Sequence, residues 1–349
     1  MPDGPHSPED LSPREARDRF LDEYRLDSTD STVRSYYNRL GQFVVWCEEQ
    51  QIERVGDLSG WYLDQYRRSL SENAPITVRG KMMALKQLIG YLERIEAVDD
   101  NLEDKVPIPT LSKEEQRSEV KLAPEDAKTF LNHYRNSMSQ YGTPEHAVLE
   151  VMWFTGCRMS GIRGLDLDDY DQEKGILHFV NRPETDTRLK NGDNGERPVA
   201  IPKEVVDVLD AYIARERHGK HDSTGRRPLF SARQGRPSTT TFRVWTYMAT
   251  QPCVYKACPH GKTREKCKWV KRQFSSQCPS SRSPHQVRTG SITWQLNCGM
   301  PIEEVAARVN SSPEVIRRHY DVATGEEKLE ERRRRYLGDL SIEGENDEN

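Results

Sequence analysis

The chain reads as mainly α-helical with one small β-hairpin, divided into two domains. Three observations predict this. Apolar residues in the first hundred positions recur at intervals of three and four, the period of one buried helical face. Two short apolar runs, 175–180 and 197–202, flank a polar Gly/Asn/Asp-rich turn, the pattern of a hairpin with a long loop. At 349 residues the length suggests about two domains, and an aperiodic stretch at 101–121 carrying Val106-Pro107-Ile108-Pro109 reads as the linker between them.

The elements follow in order. Residues 1–11 are polar and read as disordered. Helices are expected at 12–25, 30–51, 59–72 and 77–96 of a helical domain spanning 12–100. The second starts after Thr29-Asp30-Ser31 and carries Val33, Tyr36, Leu40, Phe43, Val44 and Cys47 on one stripe. The fourth carries Met82, Leu85, Leu88, Ile89, Tyr91 and Leu92. Its Arg79, Lys81 and Lys86 suit either a phosphate backbone or a solvated face. A second domain, 122–338, opens with Ala123-Pro124-Glu125 as a helix entry. The hairpin follows, then helices at about 203–217 and 238–250, one from Pro284, one over Pro301–Val309 and one from Ser312-Pro313-Glu314 to Asp321. Glu326–Leu337, with its Arg332–Arg335 run, reads as a charged terminal helix, and 339–349 as an acidic disordered tail.

Composition narrows the function classes. Hydrophobic residues make up 34% and charged residues 31%, so the surface is heavily charged and the cores modest. No apolar run approaches the roughly 20 residues of a membrane span, and the N-terminus does not resemble a secretory signal, so a cytoplasmic, nucleoid-associated protein is expected. The net charge of −4 argues against indiscriminate coating of nucleic acid. Charge is segregated, however. Residues 253–288 hold nine Lys/Arg and one acid, Glu265, enough for local phosphate contacts or simply a solvated face. Arginine outnumbers lysine 36 to 16, which suits bidentate phosphate recognition.

The chemistry-bearing residues are Arg158, Lys190, His285, Arg288 and Tyr320, with Asn310 between the last two. Arg158, in Thr155-Gly156-Cys157-Arg158, stands where one apolar helix ends and another begins, so a guanidinium there can fork onto a phosphate. Lys190 lies in the hairpin loop, where a flexible ammonium suits general-acid work. Ser283 is a good N-cap and Pro284 a good first helical residue, which puts His285 and Arg288 on one face of a first turn that favours anions. Tyr320 follows Arg288 by 32 residues. A core aromatic is the ordinary fate of such a tyrosine, but Arg317-Arg318-His319 argues against an apolar setting, and His319 is a weaker rival nucleophile.

This spacing resembles the tyrosine recombinase (phage integrase, Xer-like) family, across about residues 10 to 338. The resemblance implies an N-terminal core-binding (SAM-like) domain and a mixed α/β catalytic domain that closes on duplex DNA. It implies that Tyr320 attacks a phosphate and forms a 3′-phosphotyrosyl link, that Arg158 and Arg288 bind that phosphate, that His285 manages the tyrosine proton, and that Lys190 protonates the leaving 5′ oxygen. No cofactor is implied for catalysis. The implied partners are double-stranded DNA at a specific site, three further copies in a homotetramer whose C-terminal segments dock in neighbours, and accessory directionality factors.

Two departures stand out. Gly161 occupies the position of an acid that usually orients the first arginine, which leaves Asp166 or Asp168 as candidate partners. Asn310 replaces a histidine or tryptophan, ten rather than nine residues before the tyrosine. It can either donate to a phosphate oxygen or close a helix in the left-handed conformation. A non-catalytic DNA-binding relative and a type IB topoisomerase-like enzyme are the alternatives. Arginine-rich composition and the cysteine insert also resemble haloarchaeal members.

That insert, 253–278, holds Cys253, Cys258, Cys267 and Cys278, with His260 among them. Spacings of 5, 9 and 11 make no tight knuckle. The set is readable as a structural zinc site with His260 as alternative ligand, or as free thiols; a disulfide suits the cytoplasm poorly. Cys47, Cys157 and Cys298 read as small buried residues.

Overall fold

The computed structural model describes residues 7–112, 115, 120–185 and 187–337. Of the disorder expected over 1–11, residues 1–6 lie outside the described residues, but Pro8–Asp10 form a 3-10 turn and Leu11 is buried in the first core, because its apolar side chain packs under the start of the helical unit. The acidic tail and part of 101–121 also lie outside the described residues. The chain separates into two compact units, divided near residue 118.

In the first unit, Ser12 starts helix α1 (Pro13–Asp27) through a reciprocal cap: Glu15 N–H donates to its hydroxyl at 3.2 Å and its own N–H donates to the Glu15 carboxylate at 2.9 Å. Helices α2 (Asp30–Glu49), α3 (Gly60–Ser69) and α4 (Pro75–Arg94) follow. Their apolar stripes meet at Phe20, Leu40, Phe43, Leu63, Tyr66, Leu85 and Leu88. Leu102, Val106 and Ile108 pack into the same core. Two of the basic residues of α4 are engaged at home. Lys86 pairs with Glu103 and Asp104, and Lys81 donates to Gln42 and Asn73.

The second unit is built on α5 (Pro124–Arg135) and α6 (Pro144–Thr155). Helix α6 is buried nearly all round, with Val148, Leu149, Val151, Met152 and Trp153 in the core and its buried Glu150 paired with Arg135 and bonded to His146. A short α7 (Met159–Gly164) leads to the sheet. The expected hairpin is β2 (Ile176–Phe179) with β3 (Arg197–Ala200), and a two-residue β1 (Tyr170–Asp171) adds to its edge. All pairings are antiparallel, with Tyr170 opposite Leu177 and Leu177 opposite Val199. Strand β1 escapes a sequence reading because two residues have no periodicity.

Helices α8 (Lys203–Arg215) and α9 (Thr239–Ala249) complete the main core. The cysteine insert follows α9 as one-turn 3-10 segments, among them Pro252–Val254, Arg264–Lys266 and Arg272–Gln277. Then come α10 (Pro284–Asn297), α11 (Ile302–Val309) and α12 (Pro313–His319), which share a small cluster of Ile292, Leu296, Val305, Val309, Ile316 and Tyr320. The terminal helix is short, α13 (Gly325–Lys328), and continues through a π turn at Leu329–Arg333. Its Arg332 donates to Asn297 at 2.7 Å and to Asp321 at 2.8 Å, which holds this segment on the end of α10.

A buried ion cluster locks the turn after α7. Asp166 accepts from Arg226 Nε at 2.6 Å and from Arg236 Nη2 at 2.5 Å, while Asp169 takes Arg182 through both nitrogens. Arg236 is also held by Asp222 at 2.8 Å. Removing the shared carboxylate strands two guanidiniums away from solvent. Asp166→Ala should therefore lower the unfolding free energy by about 3 kcal/mol. Asp168→Ala, which loses only the exposed pair with Arg227, should cost less than about 1 kcal/mol. Equal small losses in denaturant titrations would contradict the cluster's role.

Candidate active site

Each candidate side chain is placed by a local backbone device. Helix α6 stops at Gly156, which takes the left-handed conformation at φ 62°. A Cβ there would meet Val309 Cγ1 at 2.9 Å and Gln295 Nε2 at 3.0 Å, so this turn needs glycine. The turn delivers Arg158 as the N-cap of α7. The cap predicted at Ser283 is present and reciprocal: Gln286 N–H donates to Ser283 Oγ, and Ser283 N–H donates to Gln286 Oε1 at 2.8 Å. It places His285 and Arg288 on the first turn of α10. Tyr320 closes α12, and its carbonyl accepts from Thr293 Oγ1 of α10 at 2.9 Å.

These devices bring Arg158, His285, Arg288 and Tyr320 to one cleft of about 430 Å³. Arg288 is only 2% exposed. Its Nη1 donates to the Gly156 carbonyl at 2.7 Å and the Val309 carbonyl at 2.9 Å. Its Nε and Nη2 are buried with no partner in hydrogen-bonding geometry. The Tyr320 ring lies 4.9 Å from the guanidinium carbon and 5.5 Å from the centre of the His285 ring. An orphaned charged donor is costly unless an anion completes it. The cleft is thus a cationic seat beside a phenol and an imidazole.

Lys190 and Asn310 do not line that cleft. They border a shallow depression that also contains Arg158, on its other side. Lys190 is exposed, on the loop between β2 and β3. Asn310 closes α11 with φ 53° and ψ 66°, the helix-ending conformation. Both ends of its side chain are engaged within the protein: Nδ2 donates to the Lys190 carbonyl at 2.7 Å, and Oδ1 accepts from Asn191 Nδ2 at 2.8 Å.

The partner of Arg158 differs from the sequence expectation. Asp166 is bound by Arg226 and Arg236, and Asp168 by Arg227, so neither orients Arg158. Instead Arg158 Nη1 donates to the Asn310 carbonyl at 2.5 Å. At Gly161 a Cβ would sit 3.2 Å from the Phe179 ring, so an acid there would require that ring to shift by a few tenths of an ångström. Arg197, on β3, is tied to the carbonyls of Arg308 and Gly195 and to Cys157 Sγ.

The sequence reading missed Arg243. It projects from α9, whose Phe242, Trp245 and Ala249 are buried, and it lines the cleft. Its place on the polar face of an amphipathic helix was legible, but the direction of that face was not.

The expected metal set is not assembled. Among the described residues no three His, Cys, Asp or Glu side chains are grouped to hold a metal ion. Cys267 and Cys278 are buried, Cys253 Sγ accepts from Arg264 at 2.9 Å, and His260 Nε2 is bonded to Ser280 at 2.9 Å. The spacings of 5, 9 and 11 let each thiol settle against its own neighbours.

No family model matches the chain. A tyrosine recombinase XerC 2 of Ralstonia nicotianae is 29% identical over 195 residues, covering 53% of this chain and 52% of that protein. A tyrosine recombinase XerD of Pseudomonas putida is 26% identical over 236 residues, covering 64% and 71%. The chain is similar in sequence to tyrosine recombinases. It spans about half the length of the first of these proteins. The solved Tn1549 transposon integrase in complex with a circular intermediate DNA has a TM-score of 0.62 at 15% identity, over 95% of this chain and all of that one. The tyrosine recombinase fold thus extends over both units.

Burial, then the charges of Arg288, Arg158 and His319, holds the His285 imidazole below its ordinary value of 6.5. The neutral ring is therefore the resting form near neutrality. By linkage, the stabilisation this gives is present above the ordinary value and lost as pH falls through the lowered one. In a histidine NMR titration His285 should titrate below 6.5 and move upward when inorganic phosphate fills the cleft. A midpoint at or above 6.5 in the free protein would refute the crowding of cations around it.

Proposed function

We propose that this chain is a site-specific recombinase that cuts and rejoins duplex DNA through a 3′-phosphotyrosyl intermediate. The observation that carries the reading is the cleft in which Tyr320 lies against His285 and against an Arg288 with two buried, unpartnered donors. A scissile phosphate would pair with those donors and turn a desolvation cost into charge-assisted hydrogen bonds.

In this reading Tyr320 Oη attacks phosphorus and its proton passes to neutral His285. The bond from phosphorus to the 5′ oxygen breaks, its electron pair stays on that oxygen, and the Lys190 ammonium supplies the proton. Arg158 and Arg288 offset the charge that grows on the pentacoordinate phosphorus, with donors already in place before the reaction. A 5′ hydroxyl from a partner strand then reverses the step, so bond energy is retained without ATP. These roles draw no chemistry from a metal.

Duplex DNA is the substrate this reading requires, and the Tn1549 integrase relative is itself solved with DNA. The helical unit, residues 12–100, serves in this reading as the second DNA-gripping domain. The insert adds Lys256, Lys262, Arg264, Lys266, Lys268, Lys271 and Arg272, all exposed and none in an ion pair among the described residues. Such cations bind phosphates by releasing counterions. Assembly as a tetramer on DNA, directionality factors and a nucleoid location belong to the same proposal.

The decisive experiment uses nicked duplexes whose sequence is first selected by binding from random DNA. Without added metal, wild type should form a denaturant-resistant protein–DNA adduct and Tyr320→Phe should form none. Tight binding with no adduct from wild type would leave a non-catalytic DNA-binding protein.

We further propose that Cys253, Cys258, Cys267 and Cys278 take a structural zinc, with the thiols drawn together from where they now stand. Support comes from the donor chemistry and from the thiols of Cys258 and Cys278, close enough to act on the Cys253 thiol, which burial pushes up. Elemental analysis should find about one zinc per chain, lost in Cys267→Ser/Cys278→Ser. Zinc-free protein with an unchanged melting temperature would end this proposal.

A further inference from the structure

Asn310 stands where related enzymes are expected to present a ring to the phosphate, yet both ends of its amide are spent elsewhere. Nδ2 donates to the Lys190 carbonyl at 2.7 Å, and Oδ1 accepts from Asn191 Nδ2 at 2.8 Å. Its backbone carbonyl accepts from Arg158 Nη1. One residue therefore holds the guanidinium on one side and the backbone of the loop lysine on the other.

The surrounding chain is shaped for this clasp. Asn310 must be left-handed to turn its side chain back along the end of α11, and asparagine adopts φ 53° at little cost. Asn191 and Gly192 are also left-handed, at φ 79° and 57°, which makes the loop tight enough for Asn191 to meet it. Gly195 leaves the necessary space: a Cβ there would lie 2.5 Å from Asn310 Nδ2 and 2.8 Å from the Lys190 carbonyl. Leu189, just before the lysine, is buried, and its N–H donates to Asn181 Oδ1 at 2.9 Å. The Lys190 backbone is thus fixed on both flanks, while its side chain remains exposed and without an ion pair among the described residues.

We propose that Asn310 is a positioning residue for Lys190, acting on protonation of the leaving 5′ oxygen through the 189–195 loop rather than by touching the phosphate. This rests on the recombinase reading above. The clasp sets the distance between the cation that grips the phosphate and the base of the arm that delivers the proton. A proton donor on an untethered loop reaches its transition-state position in a smaller fraction of encounters.

The test separates leaving-group protonation from phosphate binding. Asn310→Gly keeps the left-handed backbone and the Arg158 contact but deletes both amide bonds. Gly195→Ala breaks the clasp from the opposite side, its methyl displacing the Asn310 amide from the Lys190 carbonyl while residue 310 stays asparagine. Single-turnover cleavage is measured on two nicked duplexes, one ordinary and one with sulfur in place of the leaving 5′ oxygen. A thiolate departs without being protonated.

On the ordinary duplex both variants should cleave roughly 10- to 100-fold more slowly than wild type, a fraction of the roughly 10²- to 10⁴-fold that a general acid contributes. On the sulfur duplex both should recover to within about threefold of wild type, as should Lys190→Ala. A deficit that persists on the sulfur duplex would place Asn310 on the phosphate or in the fold, and would overturn the proposal. So would undiminished cleavage of the ordinary duplex, or a Lys190→Ala defect that sulfur does not rescue. Absence of any adduct from wild type would instead strike the recombinase reading itself, and this proposal with it.

Discussion

The buried guanidinium of Arg288 is the constraint on which the rest of the site depends. One of its nitrogens joins two carbonyls, Gly156 at the end of α6 and Val309 at the end of α11. Helix α6 and the consecutive pair α10 and α11, 132 residues on from Gly156 at Arg288, are thereby referred to a single point. The same contact explains why α6 must end in a left-handed glycine, since any side chain at 156 would strike Val309 and Gln295. It also leaves two donors that meet no acceptor in good hydrogen-bonding geometry among the described residues, with the Tyr320 side chain close enough to act on the guanidinium. Burying a charge in this way costs stability unless something completes it. The protein carries that cost at the point where an anionic ligand would remove it, a strain kept for function.

Around that point the cations are held by carbonyls rather than by carboxylates. Arg158 binds the Asn310 carbonyl, Arg288 binds two carbonyls, and Arg197 and Arg308 bind carbonyls of neighbouring loops. A carboxylate in the same place would orient a guanidinium equally well but would cancel its charge before a phosphate arrived. The acids of the region, Asp166, Asp169 and Asp222, are instead consumed by Arg182, Arg226 and Arg236, where they stabilise the turn behind the sheet. Structural and ligand-facing arginines are separated in this way by the kind of acceptor each one has. That positive field adds to burial, the leading cause, in holding the His285 imidazole below its ordinary value.

The helices and the hairpin were legible because their signals are local. Ser12, Ser283 and Ser312 cap the helices that their sequences announce, and the apolar stripes of α2 and α4 place those faces in the core. Strand β1 was not legible, because two residues beside an acidic turn have no pattern of their own. Within the site, His285 and Arg288 followed from a cap and a three-residue spacing. Arg243, Asn191 and the true partner of Arg158 did not, because each depends on which distant loop arrives opposite.

By itself, then, the sequence determined the element types, the capped first turn of α10 and the residue chemistry, since propensity, capping and periodicity act within a few neighbours. Only the tertiary structure decided what those residues face. It took Asp166 and Asp168 from Arg158, turned the amide of Asn310 toward Lys190, and left the insert's cysteines short of a metal-holding group among the described residues. The physical reason is that a hydrogen bond across 120 residues is chosen by competition among all acceptors within reach, and that competition exists only once the chain is packed.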